Sequence, residues 1–147
     1  MSSSSGPRVF IASDHAGFEL KNLLVKGSNL VEWADLGPFT PDRVDYPDFA
    51  HDLCSRMLNE SSNTFGVLIC GSGQGMAIAA NRHRHIRAAL CWNSEIAKLS
   101  REHNNANVLC LGARFTQANE AIEILKIFLS SRFEGGRHAQ RVAKMNP

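Results

Sequence analysis

Cys70-Gly71-Ser72-Gly73-Gln74-Gly75 is the stretch of this chain best equipped for chemistry. The apolar run 65–69 ahead of it has the length of one buried strand, and 76–82 behind it has the composition of a helix. Three alternate glycines between a strand and a helix make a loop whose backbone can approach a ligand closely. The helix start leaves N–H groups unpaired, equivalent to about half a positive charge, which suits an anion or an oxygen becoming one. A helix N-terminus also favours the thiolate of a nearby cysteine. Such a thiolate can attack a carbonyl, or it can take a proton from the carbon beside one while the amide cradle holds the enediolate oxygen. The plain alternative is a small buried cysteine before a tight turn. The three alternate glycines and Ser72 favour the functional reading.

Spacing excludes three familiar loops. The phosphate loop of nucleotide hydrolases requires a lysine after its last glycine, and Met76 follows Gly75. The dinucleotide fingerprint is met by Gly71 and Gly73, but its third glycine position is Met76 and the next strand ends at Cys91-Trp92 without an acidic residue. A cysteine phosphatase would need arginine where Met76 stands.

The elements that must position this loop follow from periodicity. Residues 8–13 read as a buried first strand, and Asp14-His15-Ala16-Gly17 leads into a helix marked by Phe18, Leu20, Leu23 and Leu24. Asp14 and His15 thus sit at the carboxyl end of a strand, the edge where open α/β sheets bind ligands. Asp14 as a helix cap and His15 as a surface residue are the plain alternatives. Residues 30–33 read as strand two. Pro38, Pro41 and Pro47 punctuate the loop to a helix opened by Asp45-Tyr46-Pro47, where Tyr46 either packs on its neighbours or offers its hydroxyl to a ligand. Residues 86–91 and 108–111 read as strands four and five, with helices over 93–101 and 120–131 and a short last helix from about Arg137. The expected architecture is an α/β, Rossmann-like three-layer sandwich: about five parallel strands with helices on both faces.

Composition bounds the partners. The 147 residues suit a single domain over 8–147, after a Ser-rich polar stretch over 1–7 expected to be a disordered tail. A net charge of +2 is too balanced to suggest nucleic acid or a membrane surface. Cys54, Cys70, Cys91 and Cys110 lack Cys-x-x-Cys spacing and read as reduced intracellular thiols. His83-Arg84-His85 reads as a basic loop rather than a metal site, having no acidic or thiol partner nearby. Arg137 and Arg141 share one helix face, which alone reads as a solvated basic face.

In order along the chain, several further blocks resemble one family. They are Ala12-Ser13-Asp14-His15-Ala16-Gly17-Phe18 with Leu20-Lys21, Val44-Asp45-Tyr46-Pro47, Ile69-Cys70-Gly71-Ser72-Gly73 with Gly75, and Ile78-Ala79-Ala80-Asn81. Leu99-Ser100-Arg101, His103-Asn104, Asn107-Val108-Leu109, Gly112-Ala113-Arg114, Phe133-Glu134-Gly135-Gly136-Arg137-His138 and Gln140-Arg141-Val142 follow. The pattern resembles ribose-5-phosphate isomerase of type B, in the wider family that includes galactose-6-phosphate and allose-phosphate isomerases.

The resemblance implies cytoplasmic interconversion of ribose 5-phosphate and ribulose 5-phosphate in the pentose phosphate pathway, without metal or organic cofactor. It implies that Cys70 is the base, that Ser72 serves the proton relay, and that the amides along Gly71, Ser72, Gly73, Gln74 and Gly75 hold the enediolate. His103 would assist ring opening, Asp14, His15 and Asn104 would contact substrate, and Arg114, Arg137 and Arg141 would clamp the phosphate. A site shared across a homodimer, or a tetramer of paired dimers, is implied as well. Many members carry threonine at the position of Ser72. A branch without the cysteine uses glutamate at the position of Met76, which puts this chain in the cysteine branch. The rival readings are an isomerase of a six-carbon sugar phosphate and a non-catalytic phosphate-binding module.

Overall fold

Odd and even residues of the strands bury themselves on opposite faces of one sheet, the period-two consequence of a pleated backbone. The computed structural model describes residues 6–29 and 31–147. Strands β1 (Arg8–Ser13), β2 (Glu32–Asp35), β3 (Thr64–Cys70), β4 (Ala88–Leu90) and β5 (Val108–Gly112) are all parallel, in the order β2-β1-β3-β5-β4. Helices α1 (Phe18–Gly27), α2 (Tyr46–Met57), α3 (Gln74–Ala80), α4 (Ser94–Glu102), α5 (Ala118–Ser130) and α6 (Arg137–Ala143) complete the chain. The expected sandwich is the observed one.

Val9, Ile11, Val67, Ile69, Leu109 and Leu111 pack with Leu20 and Leu24 of α1, Ala97 of α4 and Ile124, Leu125 and Phe128 of α5. Phe10, Ala12, Leu68, Cys70, Val108 and Cys110 pack with Ala50, Leu53 and Cys54 of α2 and Met76, Ala79 and Ala80 of α3. Each fully buried leucine in these layers contributes about 2 kcal/mol of transfer free energy. Among the described residues no helix is long and apolar enough to cross a membrane.

Element boundaries depart from the sequence reading where side chains replace ladder partners. Strand four was expected over 86–91 and is limited to Ala88–Leu90, because Asn81 bonds both the N–H and the carbonyl of Ala88 at 2.8 and 2.9 Å. Helix α5 starts at Ala118 rather than Glu120, because Gln117 and Glu120 form a capping box. Strand β2 is shifted to Glu32–Asp35 by its register with Arg8 and Ile11, and Leu30 lies outside the described residues. Of the expected tail, residues 1–5 also lie outside them, whereas the Pro7 carbonyl accepts the Glu32 N–H at 3.0 Å.

Candidate active site

From β1 the chain crosses to β2 on one side and, after α2, returns to β3 on the other. This reversal opens a crevice between the carboxyl ends of β1 and β3, where α/β sheets place their ligands. Asp14 leaves β1 there. It is buried, its N–H donates to the Ile69 carbonyl at 3.1 Å, and its carboxylate accepts the Gly17 N–H at 3.0 Å. His15 accepts the Val44 N–H on Nδ1 at 3.3 Å, so its neutral form carries the proton on Nε2. A cavity of about 490 Å³ at this edge is lined by Asp14, His15, Arg43, Asp45 and Tyr46 among others.

Cys70 is the last residue of β3, and its sulphur accepts the Gly73 N–H at 3.2 Å. Gly73 adopts φ +81°, and a Cβ there would lie 2.5 Å from Leu90 Cδ1. Glycine is therefore required to fold the loop back over the thiol. Ser72 Oγ accepts the Gln74 N–H at 3.4 Å. The Tyr46 ring covers Gly75 so closely that a Cβ there would sit 2.7 Å from the phenol oxygen. Arg114, just beyond β5, lies with Nη1 2.9 Å from where a Gly71 side chain would begin. The structure thus gathers Cys70, Gly71, Ser72, Gly73, Gln74, Gly75, Tyr46 and Arg114 at the edge that also carries Asp14 and His15. A thiol, a helix start and a guanidinium here suit proton abstraction from an anionic substrate.

Burial raises each of the other three thiols. Burial pushes Cys54 up to about 12, and Cys91 up to about 11 despite the opposing Ser100 hydrogen bond. Cys110 is raised as well, first by burial and then by its thiol neighbours.

The remaining predicted residues form a second group at the opposite, amino edge of the sheet. Helix α4 runs back from the carboxyl end of β4 and ends at His103, before β5 begins. The imidazoles of His103 and His138 stack with centroids 4.2 Å apart and planes 14° apart. Glu134 Oε1 lies 3.9 Å from His103 Nε2 and 3.7 Å from His138 Nε2, and the Glu134 N–H donates to the Glu102 carbonyl at 3.0 Å. Arg137 and Arg141 are exposed on α6, and Asn104 lines a cavity with Val142 and Met145 at the same edge. Burial lowers the His138 pKa, and the charges of His103, Arg137 and Arg141 add to this against Glu134. Cys70 and His103 are therefore not neighbours within one chain: β5 alone separates the two edges by about 13 Å.

Sequence reasoning missed three participants. Glu134 carried a signal in its i,i+4 spacing to His138. Arg43 had none beyond its loop position. His51 of α2 meets His83 at 2.7 Å between ring nitrogens, a contact made only by the tertiary fold, and His85 instead contacts the Cys54 carbonyl at 2.7 Å.

His103, Glu134 and His138 offer two nitrogens and a carboxylate within 4.8 Å of one another. Rings stacked with planes 14° apart keep their nitrogen lone pairs in separate, nearly parallel planes, so these nitrogens do not converge on one metal position without rotation. The arrangement as it stands suits two imidazoles facing one carboxylate.

Residues 9–145 match the family model described as Ribose/Galactose Isomerase. The chain is 48% identical to ribose 5-phosphate isomerase B from Anaplasma phagocytophilum, with a TM-score of 0.88 over 99% of this chain and 100% of that one. It is 42% identical to the enzyme from Mycoplasma genitalium solved with bound ribulose 5-phosphate, with a TM-score of 0.89 over 94% of this chain and 93% of that one. It is 39% identical over 137 residues to ribose-5-phosphate isomerase B of Escherichia coli, covering 92% of this chain and 91% of the relative. With the family model matched over residues 9–145 and a relative 48% identical over 99% of this chain, the chain belongs to the ribose/galactose isomerase family.

Proposed function

We propose that this protein interconverts ribose 5-phosphate and ribulose 5-phosphate, with Cys70 as the base. The observation that carries the proposal is the Cys70 thiol, held under the Gly73 N–H at the switch-point crevice beside Asp14 and His15. Cys70 Sγ takes the proton from C2 of the open-chain aldose. The C1 carbonyl oxygen then gains charge, and the first-turn amides of α3, which lack intrahelical partners, stabilise it. Return of the proton to C1, with Ser72 relaying a proton between the two oxygens, completes a cis-enediolate isomerisation in which atoms and charge balance. Asp14 and His15 orient the sugar.

Ring opening and phosphate binding are assigned to His103, Asn104, Arg137 and Arg141, with Arg114 beside the glycine loop. The position of His103, Asn104, Arg137 and Arg141 at the edge opposite Cys70 supports a homodimer as the working unit. One protomer contributes Cys70 and its partner contributes the His103 group; two dimers can pair into a tetramer. A cytoplasmic setting is part of the same reading, supported by four cysteines that are all free thiols.

The test is conversion of ribose 5-phosphate by the purified protein, with Cys70→Ala beside it and allose 6-phosphate as a second substrate. Pentose turnover lost in the variant supports the reading. Turnover of the hexose alone would keep the mechanism and change the substrate, and turnover of neither by folded protein would leave a phosphate-binding module.

A further inference from the structure

Lys21 of α1 is fully buried, and all three of its ammonium protons are satisfied. Nζ donates to Asp35 Oδ2 at 2.8 Å, to Asp35 Oδ1 at 3.0 Å and to Asn22 Oδ1 at 3.0 Å. The rings of Phe18 and Phe39 lie 5.6 and 5.4 Å from the same ammonium. Asp35 Oδ1 also accepts the Gly37 N–H at 2.9 Å. The Gly37 carbonyl in turn accepts the Ser13 N–H at 3.0 Å. The Ser13 hydroxyl donates to the Asp14 carbonyl at 3.0 Å, and the Asp14 carboxylate accepts the Gly17 N–H at 3.0 Å. The Gly17 carbonyl accepts the Lys21 N–H at 2.9 Å, which closes the circuit.

This ring of bonds encircles the turn that carries Asp14 and His15. A buried ion pair is a poor means of adding stability, since well-packed apolar residues of similar volume often do as well. What it supplies here is direction: a charged anchor on α1 and another at the end of β2, joined across the turn between them. We infer that the Lys21–Asp35 pair is a positioning device that fixes the Asp14–His15 wall of the substrate crevice, an inference that rests on the proposed isomerase reading.

The test pairs two variants. Lys21→Met with Asp35→Leu replaces the ion pair by apolar packing, so a merely structural role would be restored along with stability. For a positioning role, the double variant unfolds cooperatively near the wild-type temperature. Its Ser13, Asp14, Gly17 and Gly37 amides exchange faster by about tenfold, while β3 amides are unchanged. Its kcat/KM for ribose 5-phosphate falls by about tenfold, chiefly through KM. Wild-type exchange at those amides together with wild-type kcat/KM would overturn the inference. Should the double variant not fold, Asp35→Asn decides. It keeps an oxygen for Gly37 but removes the charge, and unchanged exchange at the same four amides would count against the device. Exchange needs no substrate, so a wild-type protein without turnover would refute the isomerase reading and leave this test standing.

Discussion

The Gly73 N–H donates to the Cys70 sulphur across 3.2 Å, so the residue that turns the loop also holds the thiol in place. An N–H aimed at sulphur favours negative charge there. At φ +81°, with the Leu111 carbonyl carbon 2.9 Å from any Cβ, Gly73 admits no side chain without strain. Gly73→Ala is expected to cost about 1–3 kcal/mol of stability and to lower kcat more than it raises KM. Urea unfolding alongside steady-state kinetics checks this; a stable variant with normal kcat would mean that the amide does not hold the reacting sulphur.

Thiol labelling should single out the base. Cys54, Cys91 and Cys110 are all shifted upward by burial in apolar layers, whereas Cys70, itself 5% exposed, ends β3 under the Gly73 N–H at the edge that carries Asp14 and His15. Iodoacetamide near neutral pH is expected to add a single adduct, at Cys70, as activity disappears. Peptide mass mapping reads the site, and substrate should protect it. Inactivation with the adduct elsewhere would remove Cys70 from the mechanism.

The buried thiols also set an alkaline limit. Cys54 titrates at about 12 in the folded chain against an ordinary value of 9.0, so the unfolded state releases its proton first as pH rises. The stability tied to this thiol is intact below pH 9 and is lost as pH climbs toward 12, amounting to about 1 kcal/mol by pH 10. Cys54→Ala should start less stable but decline less steeply between pH 8 and pH 10. Urea midpoints over that range measure the slopes, and parallel slopes would locate the alkaline loss elsewhere.

Why half of the site was legible follows from where its residues lie in the chain. Cys70 ends one buried strand and Asp14 and His15 directly follow another, and parallel strands place such ends on one edge without further information. The sheet itself was readable because Val9 to Ala12 and Phe65 to Ile69 are apolar runs bounded by glycine and polar turns. The Lys21–Asp35 pair was not, since a lysine beside Leu20 scans as the polar face of an amphipathic helix until tertiary packing closes over it. His103 was recognisable through family resemblance, but its partnership with Glu134 and His138 depends on the path between α5 and α6. Arg101 helps fix that path, donating to the Ser131 and Ala106 carbonyls while its guanidinium sits 5.0 Å from the Phe65 ring.

Ring opening should be separable from proton transfer. If His103 acts on the furanose, His103→Asn should slow turnover of ribose 5-phosphate by roughly 10²-fold while sparing a substrate supplied in open-chain form. Stopped-flow mixing with the open-chain sugar generated in situ makes the comparison. Equal losses on both forms would reassign His103 to binding, a role its place beside Arg137 and Arg141 also permits.

The separation of Cys70 from His103 across the sheet makes a sharper demand. If each site draws Cys70 from one protomer and His103 from the other, a heterodimer of Cys70→Ala and His103→Asn chains contains one site lacking both groups and one site with both intact. Two chains inactive apart should therefore regain activity when unfolded together and refolded. Random pairing of equal amounts makes half the dimers mixed, each with one working site of two, so about a quarter of wild-type activity is expected for a symmetric dimer. Refolding each variant alone supplies the baseline, and size-exclusion chromatography confirms assembly. Recovery no greater than the sum of the two baselines, in a preparation shown to contain mixed dimers, would mean that both groups act within one chain and that the edges must approach by a rearrangement of the protomer.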